Sequence, residues 1–172
     1  RILGWMALQN AEGAQGEQNE QGAQGAQGAQ GERPRVLIGK DTRRSGYMLE
    51  SALAAGITAS GADAYLMHVT TTPSVAYITR MEDFAFGVMI SASHNPYGDN
   101  GIKVLAASGE KLDEETTARI EDMMDGDPRA MPYSTEAAIG CIVDYGESRS
   151  HYADYLVSLA CHRLDGRKIA LD

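Results

Sequence analysis

The sequence predicts an α/β domain of three layers, α/β/α, with helices on both faces of a sheet. Two observations carry that reading. Short apolar runs alternate with helix-periodic stretches from Val36 to Ser91 in the order strand, helix, strand, helix, strand. The third run, FGVMIS (Phe86 to Ser91), is apolar almost without interruption, as a strand covered on both faces requires.

Taken in chain order, RILGWMALQ reads as the end of a helix over residues 1–10. Residues 11–34 are low complexity, built on a Gly-Ala-Gln triplet. Glycine recurs every third residue there, but without the prolines or the length of a collagen helix. Lacking branched and aromatic side chains, the segment cannot offset the entropy of ordering, so a flexible loop is expected. A Gln-rich interaction segment is the alternative. The domain itself runs over 35–164. Val36 to Gly39 is a short strand closing in a Gly turn, and a helix follows from Tyr47 to Ser60. Leu49, Leu53 and Ile57 recur there at four-residue spacing, and Gly61 is the stop. Asp63 to Met67 is a second strand, and Pro73 opens a helix to Arg80. After the third strand, GIKVL (Gly101 to Leu105) is a further strand, Asp113 to Met124 an amphipathic helix, and Tyr152 to Ala160 another helix. Both ends of the chain read as cut, with something new beginning at 165–172.

The 172 residues fit one ordinary domain with an appendage. A hydrophobic share of 43% is enough for a core, and the net charge of −9 argues against nucleic-acid and anionic-membrane partners. A small phosphate-bearing ligand stays open, because a pocket can be basic within an acidic protein. Cys141 and Cys161 lack metal-like spacing and are expected to be reduced thiols in a cytoplasmic protein. No apolar run is long enough to span a membrane.

ISASHNPYGDNGIK, from Ile90 to Lys103, is the candidate site. Ligands of α/β sheets bind beyond the carboxyl ends of the strands, where Ser93 and His94 are expected. Asn95-Pro96 forces an extended-then-turn backbone, and Gly98 and Gly101 permit close approach of main chain to ligand. A serine hydroxyl at such a rim can attack or carry an electrophilic group, with His94 and Lys103 as cations beside it. By residue type alone, a structural turn with exposed serines competes equally with a reactive loop. Ser91 belongs to the strand and Ser93 to the loop.

Ser91-Ala92-Ser93-His94-Asn95-Pro96, followed by Asp99-Asn100-Gly101-Ile102-Lys103, resembles the phosphoserine loop of the α-D-phosphohexomutases. GKDTRRSGYMLESAL (Gly39 to Leu53) and TTPSVAYITR (Thr71 to Arg80) resemble the branch acting on hexosamine phosphates more than those acting on glucose or mannose phosphates. GEKLDEE (Gly109 to Glu115) also fits, and DGRKIALD resembles the first strand of the family's second domain, truncated here. The resemblance implies the family's domain one, with a mixed, mostly parallel sheet. It implies that Ser93 carries a transferable phosphoryl group, which His94 and Lys103 contact. Arg43, Asn95 and Asn100 would support the loop. Phosphoserine carries nearly two negative charges, so cationic neighbours are required. The family uses Mg2+, held by an oxygen on the phosphorylated serine, Ser93 here, and by three aspartates of a second-domain loop. A hexosamine phosphate substrate, and a homodimer of the full-length protein, are the expected partners.

The sequence also departs from the family pattern. The aspartate loop, the sugar-recognising and phosphate-gripping loops of later domains, and the opening Gly-Thr-Asp-Gly strand are missing. Asp125-Gly126-Asp127-Pro128-Arg129 imitates the metal loop but lacks its third aspartate, and it is read as a solvated helix end. His68, His151 and His162 are expected at the surface or in packing, and Met123-Met124 in the core. A mutase of glucose or mannose phosphates, or an inactive remnant with an interaction loop, are the competing functions.

Overall fold

A computed structural model describes residues 1–19, 33–163 and 165–170, and no side chain within 12–19 or at Pro128. Much of the expected flexible loop therefore lies outside the described residues. The elements are α1 (Ile2–Asn19), β1 (Arg35–Lys40), α2 (Arg44–Thr58), β2 (Asp63–Val69), α3 (Thr72–Met81), β3 (Phe86–Ile90), β4 (Ile102–Ala106), α4 (Glu114–Asp125), β5 (Ile142–Asp144) and α5 (Ser148–Ser158). Short 3-10 turns at Pro128–Ala130 and Glu136–Ala138 link α4 to β5. No helix among the described residues is long and apolar enough to cross a membrane.

The sheet has five strands in the order β4-β3-β1-β2-β5. β1 pairs in parallel with β2 and β3, β2 pairs in parallel with β5, and only β4 runs antiparallel, against β3. The period of two divides the core. Val36, Ile38, Ala64, Val88 and Ile90 pack with Leu3, Met6, Ala54 and Ile57 on the face of α1 and α2, where Ile120 and Met123 of α4 join them. Leu37, Met67 and Met89 pack with Val75, Ile78 and Phe84 on the face of α3. The result is the three-layer α/β/α sandwich with a mixed, mostly parallel sheet.

Several boundaries differ from the sequence reading. α1 continues to Asn19 instead of ending at residue 10. It is already nucleated and docked through Leu3, Met6 and Ala7, so propagation through Ala, Gln and Glu costs little despite the glycines. It lies close to α2, because a Cβ on Gly4 would sit 2.9 Å from the Ile57 carbonyl oxygen. α2 starts at Arg44, three residues before the expected Tyr47, and α5 starts at Ser148 instead of Tyr152. Gly61 does follow the turn after α2, with φ +95°. β5 escaped the reading: three residues with one parallel neighbour carry no measurable alternation. Arg167 to Ala170 adopt no regular element and lie exposed.

Candidate active site

β1 and β3 are neighbours in register, Lys40 opposite Ile90, so their carboxyl ends emerge side by side. The pairing of β3 with β1, and of β3 with β4, each persists one residue further. The Asp41 N–H donates to the Ile90 carbonyl at 3.0 Å, and the Ser91 N–H donates to the Gly101 carbonyl at 2.8 Å. β3 itself ends at Ile90, so Ser91 is the hinge between strand and loop. Beneath this edge, buried Lys40 is paired with buried Glu50 and lies 4.3 Å from the centre of the Tyr47 ring. It is therefore spent as packing.

Arg43 organises the loop. Its Nη1 donates to the Pro96 and Asp99 carbonyls at 2.5 and 3.0 Å, and its Nη2 to the Ser93 and Asn95 carbonyls, both at 2.9 Å. Its Nε donates to Asp41 Oδ2 at 2.9 Å. A guanidinium has five N–H donors, and these contacts use all of them. Arg43 thus holds the loop from inside and has no donor left for a ligand. The Asp41 carboxyl also accepts from the Arg43 backbone N–H at 3.0 Å. Partial burial opposes its ionisation. The Arg43 backbone N–H, the Ser91 hydroxyl and the Arg43 guanidinium together outweigh that and hold it below the usual carboxylate range.

Within the loop, Asn95 N–H donates to the Ala92 carbonyl and Asp99 N–H to the Pro96 carbonyl, giving two successive turns. Asn100 Nδ2 donates to Ser45 Oγ at 2.9 Å, and its Oδ1 accepts from Gly101 N–H at 2.8 Å, which ties the loop's exit to the start of α2. Ser91 is buried, 7% exposed, whereas Ser93 and His94 are exposed. Ser93 has φ +55°, a left-handed conformation that a non-glycine residue holds only under constraint. Lys103 stands on β4 opposite Met89, exposed beside the loop's exit. Among the described residues, His94 and Lys103 are side chains with no hydrogen-bond or ion-pair partner.

No group of three or more His, Cys, Asp or Glu suited to a metal occurs among the described residues. The residues here do not by themselves form a Mg2+ site, since Asp41 is committed to Arg43. The Asp125–Arg129 segment is an exposed helix end in which Asp127 pairs with Arg129 at 2.9 Å. His68 lies 3.3 Å from Asp144 and 3.7 Å from Glu50, and His151 lies 2.8 Å from Glu82. Cys141 and Cys161 are free and exposed. The hydrogen bond to Asp63, with that carboxylate's charge, pushes the Cys141 thiol up, away from reactivity. Sequence reasoning missed Asp41 and the hydrogen bond that Ser91 Oγ accepts from the Ser93 N–H. An aspartate two residues before an arginine at a strand end, which favours a turn closed on its own backbone, was the available signal.

An α/β/α domain that presents an exposed serine on a braced loop at the carboxyl edge of its sheet defines a class. Residues 19–130 match the family model described as phosphoglucomutase/phosphomannomutase, alpha/beta/alpha domain I, and the chain belongs to that family. The relatives it resembles include a phosphoglucosamine mutase of Lachnospira eligens, 56% identical over 81% of this chain, and one of Lachnoclostridium phytofermentans, 53% identical over the same share. A phosphoglucosamine mutase of Streptococcus pneumoniae is 48% identical over 82% of the chain. The alignments cover only 31% of the length of each relative. Among solved structures, a phosphoglucomutase/phosphomannomutase family protein of Burkholderia thailandensis shares the fold. It superposes with a TM-score of 0.58 at 21% identity, over 73% of this chain and 28% of the other.

Proposed function

We propose that this chain is the phosphoserine-bearing domain of a phosphoglucosamine mutase, interconverting glucosamine 6-phosphate and glucosamine 1-phosphate. The observation that carries the reading is Ser93, exposed and left-handed on a loop whose carbonyls occupy four donors of Arg43. In the proposed reaction a sugar hydroxyl attacks the phosphorus of phosphorylated Ser93. The new P–O bond forms to the sugar, the Ser93 Oγ–P bond breaks, and the hydroxyl proton passes to a base as the serine oxygen regains one. The sugar bisphosphate then returns its other phosphoryl group to Ser93 by the reverse exchange. Such transfer needs in-line positioning and charge neutralisation more than covalent help. With Arg43 spent, His94 and Lys103 are left to meet the phosphoryl oxygens, while Asn95 and Asn100 shape the loop.

Mg2+ is the proposed cofactor, meeting this chain only through the phosphate on Ser93, with its remaining ligands outside the chain. The setting proposed is cytoplasmic synthesis of amino-sugar cell-wall precursors, by a homodimer when the protein is full length. The chain alone is expected to be inactive. The identities of 48–56% to phosphoglucosamine mutases favour hexosamine phosphates over glucose or mannose phosphates. The test is a chimera in which this chain replaces the matching segment of the Lachnospira eligens relative. Glucosamine phosphate turnover that Ser93→Ala abolishes is expected. Normal turnover by Ser93→Ala, or turnover of glucose phosphate alone, would overturn the reading.

A further inference from the structure

Ser93 cannot hold a left-handed backbone without something to fix it, and its two flanking peptide groups show what does. Its N–H donates to Ser91 Oγ at 3.0 Å, and its carbonyl accepts from Arg43 Nη2 at 2.9 Å. The Arg43 clamp is held in turn by the Asp41 carboxylate, which takes the Arg43 Nε–H at 2.9 Å and the backbone N–H at 3.0 Å. Asp41 is itself anchored, through its own N–H, on the Ile90 carbonyl at the end of β3.

We infer that Asp41 and Ser91 are positioning residues that lock Ser93 in its presented conformation and select it over Ser91 as the phosphoryl carrier. The selection follows from the hydrogen-bond inventory. Ser91 Oγ accepts from the Ser93 N–H and Ser91 is buried, so its surroundings do not suit transfer. Ser93 Oγ is left to face solvent. The arrangement also settles the local charge. Asp41 and Arg43 neutralise each other, so a phosphoryl group arriving on Ser93 meets no unpaired carboxylate from β1.

As to transfer, the inference rests on the mutase reading, but its geometry can be measured without phosphate. Amide hydrogen exchange by NMR on the whole chain, read at Ser93, compares wild type with Asp41→Asn and Ser91→Ala. Exchange at Ser93 is expected to rise at least about tenfold in both variants. The φ-dependent coupling of Ser93 should move toward an averaged value while the unfolding midpoint stays near wild type. Ser91→Thr, which keeps the hydroxyl, should restore protection. Should Asp41→Asn fail to fold, Ser91→Ala decides alone, since it removes one oxygen. In the chimera, Ser91→Ala should lower kcat by on the order of tenfold to a hundredfold with KM little changed, as expected for a misplaced reacting atom. Unchanged Ser93 exchange in the variants would overturn the positioning role whatever the enzyme does. A chimera that never takes phosphate on Ser93 would instead sink the mutase reading and leave the lock standing.

Discussion

Two turn-rich, acidic, proline-containing loops of this chain look alike in composition and are held in different ways. The loop from Ser91 to Gly101 is gripped by Arg43, about fifty residues away in sequence, through four carbonyls, and by Ser45 through Asn100. The segment from Asp125 to Ala130 is closed by local contacts: Asp127 bonds Arg129, and the Ala130 N–H reaches the Asp127 carbonyl. A conformation fixed from a distance can hold a strained residue such as Ser93. A conformation closed only on itself has nothing to hold. Long-range bracing, and not the presence of aspartate, glycine and proline, separates a reaction centre from a helix end here.

Arg43→Ala should break the contrast most. It frees the Ser93, Asn95, Pro96 and Asp99 carbonyls, which then turn to water, so stability should fall by only about 1–2 kcal/mol. Turnover of the chimera should fall by roughly a hundredfold or more, because the carrier serine is no longer placed. Arg43→Lys should be nearly as poor, since an ammonium cannot span the four carbonyls. Thermal melts beside steady-state kinetics separate the two effects.

The pH dependence of the braced loop comes next in size. The folded-state carboxyl of Asp41 titrates below its unfolded value, so its contribution is complete above the ordinary aspartate pKa of about 4. It is lost as pH falls through the lower folded value. Ser93 amide protection should therefore be flat above about pH 5 and should decline only below about pH 4. A decline near neutrality would mean that another group controls the loop.

Smaller again is the effect expected at the start of α4, where Asp113 accepts the Thr116 N–H and hydroxyl as a helix cap. Asp113→Ala should lower the denaturant unfolding midpoint modestly, with no change at the Ser93 amide. Asp127→Asn and Arg129→Ala should leave the unfolding midpoint near wild type and turnover unaltered, being exposed and locally paired. Lost activity in either would promote this segment from helix end to functional loop.

These contrasts also mark how far the sequence was legible. The alternation of Val36–Gly39, Asp63–Met67 and Phe86–Ser91 with periodic helices was enough for the layered fold, because burial on two faces leaves a pattern in the chain itself. Ser93 was distinguishable from Ser91 by its place beyond the strand. β5 was not legible, because three residues at a sheet edge are specified by their neighbour β2 and not by their own periodicity. The continuation of α1 past residue 10 depends on a helix already docked, which composition does not report. Asp41 and Ser91 were missed for a related reason: their own bonds are local, but the work these do shows only once the Asp41 N–H meets the Ile90 carbonyl and Arg43 meets the Ser93 carbonyl, about fifty residues away.

The central claim is that Ser93, and not Ser91, carries the phosphoryl group. Its most direct test is site-resolved mass spectrometry of the chimera after exposure to glucosamine 1,6-bisphosphate and Mg2+. The account predicts one phosphate on the peptide containing both serines, located on Ser93 and absent from Ser93→Ala. Phosphate on Ser91, or a turning-over enzyme with no phosphate on either serine, would contradict it.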